Sequence, residues 1–174
     1  MTAPALQIAT LPRTGETAGM EAYCNPRTGR FAPASVERLR NLTRINQGSA
    51  RRLRYAAAAA GDRMLGRRLD KFATMRQAHA QELLACVPAE VEDASSVQDD
   101  FSAPALPVAS DRPERVALLT ELERGESAAC RAFTVALDRT LPGEAMQDLL
   151  SRQLAETQRN RDIMRDLRDM MIED

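Results

Sequence analysis

Four stretches of this chain place apolar residues three or four positions apart, and each stretch is interrupted by polar residues near its middle. Leu39, Leu42, Leu53 and Ala56 flank Asn46 and Ser49; Leu65, Leu69, Phe72, Leu83 and Cys86 flank Arg76 and His79. Val116, Leu119, Cys130 and Phe133 flank Glu123 and Glu126; Met146, Leu149, Ile163, Leu167 and Met170 flank Gln153, Glu156 and Asn160. The spacing is that of one helix face, so an all-α fold follows. Aromatic residues are only 3% of the chain and Trp is absent, which leaves Leu, Met and Ala to fill the core, a palette suited to helices.

Breakers set the boundaries. The expected helices run over about 34–60, 62–87, 113–139 and 142–172, with Gly61 and Pro88 ending the first two. Asp111 with Glu114 three positions on and Pro113 in the first turn reads as a capping box, and Thr140 reads as a cap for the last helix. Residues 88–112 are rich in Pro, Ser and acid. They read as a linker long enough to cross a bundle from end to end, at about 3.3 Å per extended residue. Residues 1–33 carry four Pro and three Gly without a sustained period, and are expected to form a mobile or loosely docked arm. Residues 34–173 then form one bundle of two hairpins joined by a long crossover.

The hairpins resemble each other. A shift of 77 residues lays Leu42, Thr43, Ile45 and Gly48 over Leu119, Thr120, Leu122 and Gly125, and Leu69 and Phe72 over Met146 and Leu149. This reads as an internal duplication. Gly48 and Gly125 are expected where paired helices approach closely.

Counted from the turns, the polar interruptions fall at one height, so the bundle should have apolar ends and a polar waist of Asn46, Ser49, Arg76, His79, Glu123, Glu126, Gln153 and Glu156. Di-metal four-helix bundles occupy such a waist with Glu residues and Glu-x-x-His pairs. Here Arg76-x-x-His79 and Gln153-x-x-Glu156 stand at those spacings. A guanidinium opposes a bound dication and is expected to pair with Glu123, Glu126 or Glu156, so no metal or other cofactor is expected. The alternative is iron, manganese or zinc held by His79, Glu123, Glu126 and Glu156, in a metal-binding protein or oxidoreductase.

The stretch from Leu118 to Asp169 resembles the second hairpin of a bacterial ferritin-like four-helix-bundle family of unknown function. The resemblance rests on Glu123 to Ser127, where the family has an "ERGED"-like run, on the Leu141-Pro142 turn, on Gln153, and on Arg161-Asp162-Ile163 before Leu167-Arg168-Asp169. Asn46-Gln47-Gly48 matches an Asp-Gly of the family more loosely. The resemblance covers about residues 36–172 and implies the ferritin-like fold. It implies no activity, and Arg161 stands where the family tends to have His, which weakens an inherited metal role.

Other chemistries fail on inventory. The single His cannot serve a nucleophile triad without an elbow or partner, and Cys86 lies about 10 Å along the helix from His79. Three Cys without CxxC spacing indicate neither a disulfide framework nor a zinc finger. A net charge of -1 gives no general pull toward nucleic acid, and the arginine clusters at 51–55 and 66–71 are interleaved with core residues and read as solvated helix faces without the aromatic interleaving that base stacking needs. No apolar run approaches the roughly 20 residues of a membrane span, and residues 1–33 lack a secretory pattern, so a cytoplasmic location is expected. The expected role is a non-enzymatic structural or interaction protein. It would act as a homo-oligomer or through a protein partner recruited by the arm, where Tyr23, Cys24 and Phe31 could dock.

Overall fold

The computed structural model describes residues 32–87, 109, 111–139 and 143–173. Among them are four helices and no strand: α1 (Pro33–Ala59), α2 (Arg63–Ala85), α3 (Arg112–Asp138) and α4 (Glu144–Glu173). The expected boundaries agree within about two residues. The arm before Ala32, most of the expected linker and the Thr140 cap lie outside the described residues.

Each start has a local cause. Pro33 opens α1, where its missing N–H would have had no partner and its φ is already helical. Asp62, which periodicity did not single out, caps α2 by accepting from the Leu65 N–H at 2.7 Å. At α3 the capping box is complete, because Asp111 accepts from the Glu114 N–H and Glu114 returns a bond to the Asp111 N–H. Gly61 breaks the chain between α1 and α2 with a φ of 62°, a conformation that disfavours any side chain.

The helices pack chiefly as two hairpins, α1 with α2 and α3 with α4, and α1 also packs directly on α3. The α1–α3 register is antiparallel: Arg38 donates to the Arg139 carbonyl oxygen, and Arg52 lies over Gly125, the same fourteen-residue step on either helix. Between α2 and α4 the contact is made by side chains, with His79 meeting Glu156, Glu82 meeting Arg152 and Met75 meeting Asn160. This too is an antiparallel register.

Two apolar clusters fill the ends. One joins Leu53, Ala56, Leu65, Leu69, Leu119, Leu122 and Met164; the other joins Val36, Leu39, Leu42, Leu83, Phe133, Met146 and Leu150. Between them lies a band of buried polar side chains: Asn46, Ser49, Arg76, His79, Glu126, Gln153, Thr157 and Asn160.

In the first hairpin every position of the expected stripe is buried, and Val36, Thr43, Ala50, Ala73 and Ala80 widen it. The second hairpin corrects the expected stripe. In α4 the stripe runs through Met146, Leu150, Gln153, Thr157, Asn160 and Met164, so Leu149, Glu156 and Ile163 sit at its edge and Met170 is exposed. In α3 Leu122 and Ala129 join the buried face and Glu123 moves to its margin.

The glycines also differ from expectation. A Cβ at Gly48 would meet nothing within 4 Å, so no close approach explains that residue. At Gly125 the missing Cβ makes room for the Arg52 guanidinium, a side chain and not a backbone. The close backbone approach is at Gly66, where a Cβ would stand 2.9 Å from the Ala57 carbonyl oxygen. Gly48→Ala should therefore stabilise the protein by about 1 kcal/mol through helix propensity alone. Gly66→Ala, despite the same propensity gain, should destabilise it, and chemical denaturation of the two variants measures both signs.

Candidate functional site

The polar band buries a guanidinium, a carboxylate and an imidazole together, and Arg76 is its centre. The side chain is 0% exposed. It projects from α2 across the bundle, donating from Nη1 to Asn46 Oδ1 of α1 at 2.8 Å and from Nη2 to Glu126 Oε2 of α3 at 2.5 Å. Asn46 completes its own pairing by donating to the Leu42 carbonyl oxygen at 3.0 Å. Three helices are thus tied through one planar group, whose fixed fork matches two acceptors at once.

A second chain of contacts runs outward from this triad along the α2–α4 seam. His79 Nε2 lies 2.6 Å from Glu156 Oε2. Gln153 donates to Glu82 Oε2 at 2.8 Å and to the His79 carbonyl oxygen at 3.3 Å, and Arg152 donates to Glu82 at 2.9 Å from the solvent side. Thr157, which the misplaced stripe overlooked, is buried and satisfied by donating to the Gln153 carbonyl oxygen at 2.7 Å. Ser49 is buried in the band on α1.

The eight expected waist residues therefore divide. Asn46, Arg76 and Glu126 form the buried triad; His79, Gln153 and Glu156 belong to the outward chain; Ser49 is buried beside them in the band. Glu123 belongs to neither, since it is held by Arg168 of α4 at the margin of the bundle. Of the three acids expected as partners for the guanidinium, Arg76 takes Glu126 alone, and Glu156 is engaged by His79. Glu82, Arg152 and Thr157 complete the network and were not expected. Glu82 stands three positions after His79, a spacing that does signal a shared face.

The electrostatics follow from burial. The short His79–Glu156 contact alone would suit an imidazolium, but desolvation pushes the His79 pKa down more strongly than the Glu156 hydrogen bond raises it, and the nearby Arg76 charge lowers it further. His79 is therefore neutral at pH 7, with Nε2–H donating to the carboxylate. For Glu82, desolvation acts to raise the pKa, but hydrogen bonds from Gln153 and Arg152 outweigh it and the value falls below the ordinary 4.5. Burial raises both Cys86 and Cys130, so neither thiol is activated as a nucleophile.

This donor set does not fit a dinuclear metal centre. A cation that cannot deprotonate occupies the waist, it consumes Glu126, and Glu123 faces a different arginine. Among the described residues, no three His, Cys, Asp or Glu side chains come together as a metal-ligand group.

Among the described residues no helix is long and apolar enough to cross a membrane. No family model matches the chain, and no curated protein or solved structure is significantly similar to it.

The depressed His79 value has a consequence for stability. The unfolded chain, with an ordinary pKa of 6.5, takes up a proton that the folded protein resists, so stability is fully present above about pH 6.5 and is lost as pH falls toward the folded value. Urea denaturation should show stability declining below pH 6.5, and a His79→Gln variant should lack that decline. A further loss below pH 4.5 should persist in both, because Glu82 releases its depressed value there.

Proposed function

We propose that this protein is a ferritin-like four-helix bundle in which a salt-bridged network has taken the place of a di-metal centre, and that it acts as a structural or interaction module, not as an enzyme. The observation that carries the reading is the fully buried Arg76 bridging Asn46 and Glu126 at mid-height. A buried ion pair of this kind adds little net stability, because desolvation offsets most of its attraction; what it supplies is one allowed register for the helices that share it.

The ferritin-like connection is supported by where the described ends lie. Val87, after α2, packs on the cluster that contains Val36 and Leu39, whereas Ala109, before α3, packs in the opposite cluster and donates its N–H to the Ala59 carbonyl oxygen. A connection between those two points travels the length of the bundle. The duplicated-hairpin reading has support of the same kind. The shift of 77 residues maps His79 onto Glu156, and these two side chains meet each other, as residues on an axis relating the hairpins would.

Self-association is the form of interaction the surface favours. Met64 of α2 and Met170 and Ile172 of α4 are 73%, 64% and 62% exposed, and the α2–α4 register sets them at one end of the bundle. The rival reading, iron, manganese or zinc held by His79, Glu123, Glu126 and Glu156, requires four side chains of which Glu126 is paired with Arg76, Glu123 with Arg168, and His79 with Glu156.

Metal content of protein purified without chelator separates the two readings. The scaffold reading expects less than about 0.1 equivalent of iron, manganese or zinc and an unchanged unfolding midpoint when each metal is added, since only a ligand that binds the folded state shifts it. One equivalent or more of metal, lost in His79→Ala, supports the rival.

A further inference from the structure

We infer that the polar waist is a binding site for one internal water molecule, which donates to His79 Nδ1 and Gln153 Oε1 and accepts from the Arg76 Nε–H. Arg76, His79 and Gln153 are 0%, 2% and 0% exposed. Each of them carries one buried polar atom without a hydrogen-bond partner among the described residues: Nε of Arg76, Nδ1 of His79 and Oε1 of Gln153. Buried polar atoms are almost always paired, so three orphans in one band call for a ligand that serves them.

The other contacts of these side chains hold the orphaned atoms in place. Both Nη atoms of Arg76 are engaged, on Asn46 and Glu126, which fixes the plane of the guanidinium. The Gln153 amide is oriented by two acceptors, Glu82 Oε2 at 2.8 Å and the His79 carbonyl oxygen at 3.3 Å. Exchanging its nitrogen and oxygen would set acceptor against acceptor at both. The His79 ring is fixed by Glu156, whose Oε2 lies 2.6 Å from Nε2. A proton must occupy that short contact, and a neutral imidazole then has none left for Nδ1.

The same contacts bring the three side chains to one part of the waist. Gln153 reaches α2 at the His79 turn, through its bond to the His79 carbonyl oxygen. Arg76 stands three positions before His79 on the same helix face, near enough for its charge to act on the imidazole.

Donor and acceptor chemistry selects water. His79 Nδ1 and Gln153 Oε1 are both acceptors, so they cannot satisfy each other, and the Arg76 Nε–H is a donor. Two acceptors and one donor are the complement of a molecule with two O–H donors and oxygen lone pairs, and three hydrogen bonds are what a buried water ordinarily makes. A metal ion would meet the guanidinium charge, and an anion would face two acceptors. The water joins the Asn46–Arg76–Glu126 triad to the chain that starts at His79 and Gln153. All four helices then share one hydrogen-bonded network.

His79 is the only histidine of the chain, so its imidazole gives a single set of resonances and the test needs no assignment by mutation. In nitrogen-15-labelled protein at pH 7.5, a bound water predicts that Nε2 is protonated and that Nδ1 is unprotonated but shifted by an accepted hydrogen bond. It also predicts a nuclear Overhauser effect from water to the ring Hε1, with the sign given by a water held longer than the protein takes to tumble. Oxygen-17 relaxation dispersion should lose the amplitude of one long-lived water in Gln153→Met, which removes one of the two acceptors. A protonated Nδ1, which would donate straight to Gln153, overturns the proposal. So does an Nδ1 with neither proton nor water contact, or a dispersion amplitude unchanged in the folded variant. Should Gln153→Met fail to fold, the ring measurements on the native chain decide the matter alone.

Discussion

A guanidinium keeps its charge at any pH a folded protein meets, so a chain that buries one at its centre must bring acceptors to it or fail to fold. Arg76 does this with two acceptors from two different helices, Asn46 Oδ1 and Glu126 Oε2. The arrangement constrains α1, α2 and α3 together. A slip of α3 by one residue would carry Glu126 about 100° around its axis and leave the charge unpaired in an apolar interior, at a penalty larger than any single packing gain. Apolar clusters at the two ends supply most of the burial, and being built of interchangeable Leu, Met, Ala and Phe they tolerate several registers. The waist selects one.

The two inter-hairpin seams use opposite means. α1 and α3 approach each other directly, whereas α2 and α4 are joined by a chain of polar side chains from His79 to Arg152. The His79–Glu156 contact sits where the hairpins correspond to each other, and the correspondence is broken most visibly at Arg76 and its counterpart Gln153. Both are fully buried, but only one is charged. That asymmetry, together with neutral Ser49 at the place corresponding to Glu126, gives the network a cation with one buried carboxylate.

The helices and the first hairpin's core were legible from spacing, because Leu39, Leu42, Leu53 and Leu69 have polar neighbours on either side in sequence. The second hairpin was not, because doublets such as Leu149–Leu150 and Ile163–Met164 satisfy two phases of the same period equally well. Only packing decides between them, and it buried Leu150, Thr157 and Met164. The mid-height location of the polar residues follows from sequence distance and needed no contacts. The partner of each charge does not follow, since Glu123 and Glu126 both lie within reach of the waist in sequence; Arg168, on the far turn of α4, captures the first. Gly66 and Asp62 act through a backbone approach and a cap that apolar spacing cannot reveal.

A double-mutant cycle on the central pair tests this account most directly, with Arg76→Met, Glu126→Leu and the combined variant compared by urea denaturation at pH 7.5. The account predicts that each single change destabilises by about 3 to 5 kcal/mol, by leaving its partner buried and unpaired, and that the combined change is far milder than the sum, from near neutral to stabilising. Single effects below about 0.5 kcal/mol that simply add would contradict it, because Arg76 and Glu126 would then be uncoupled and the helix register would rest on something else.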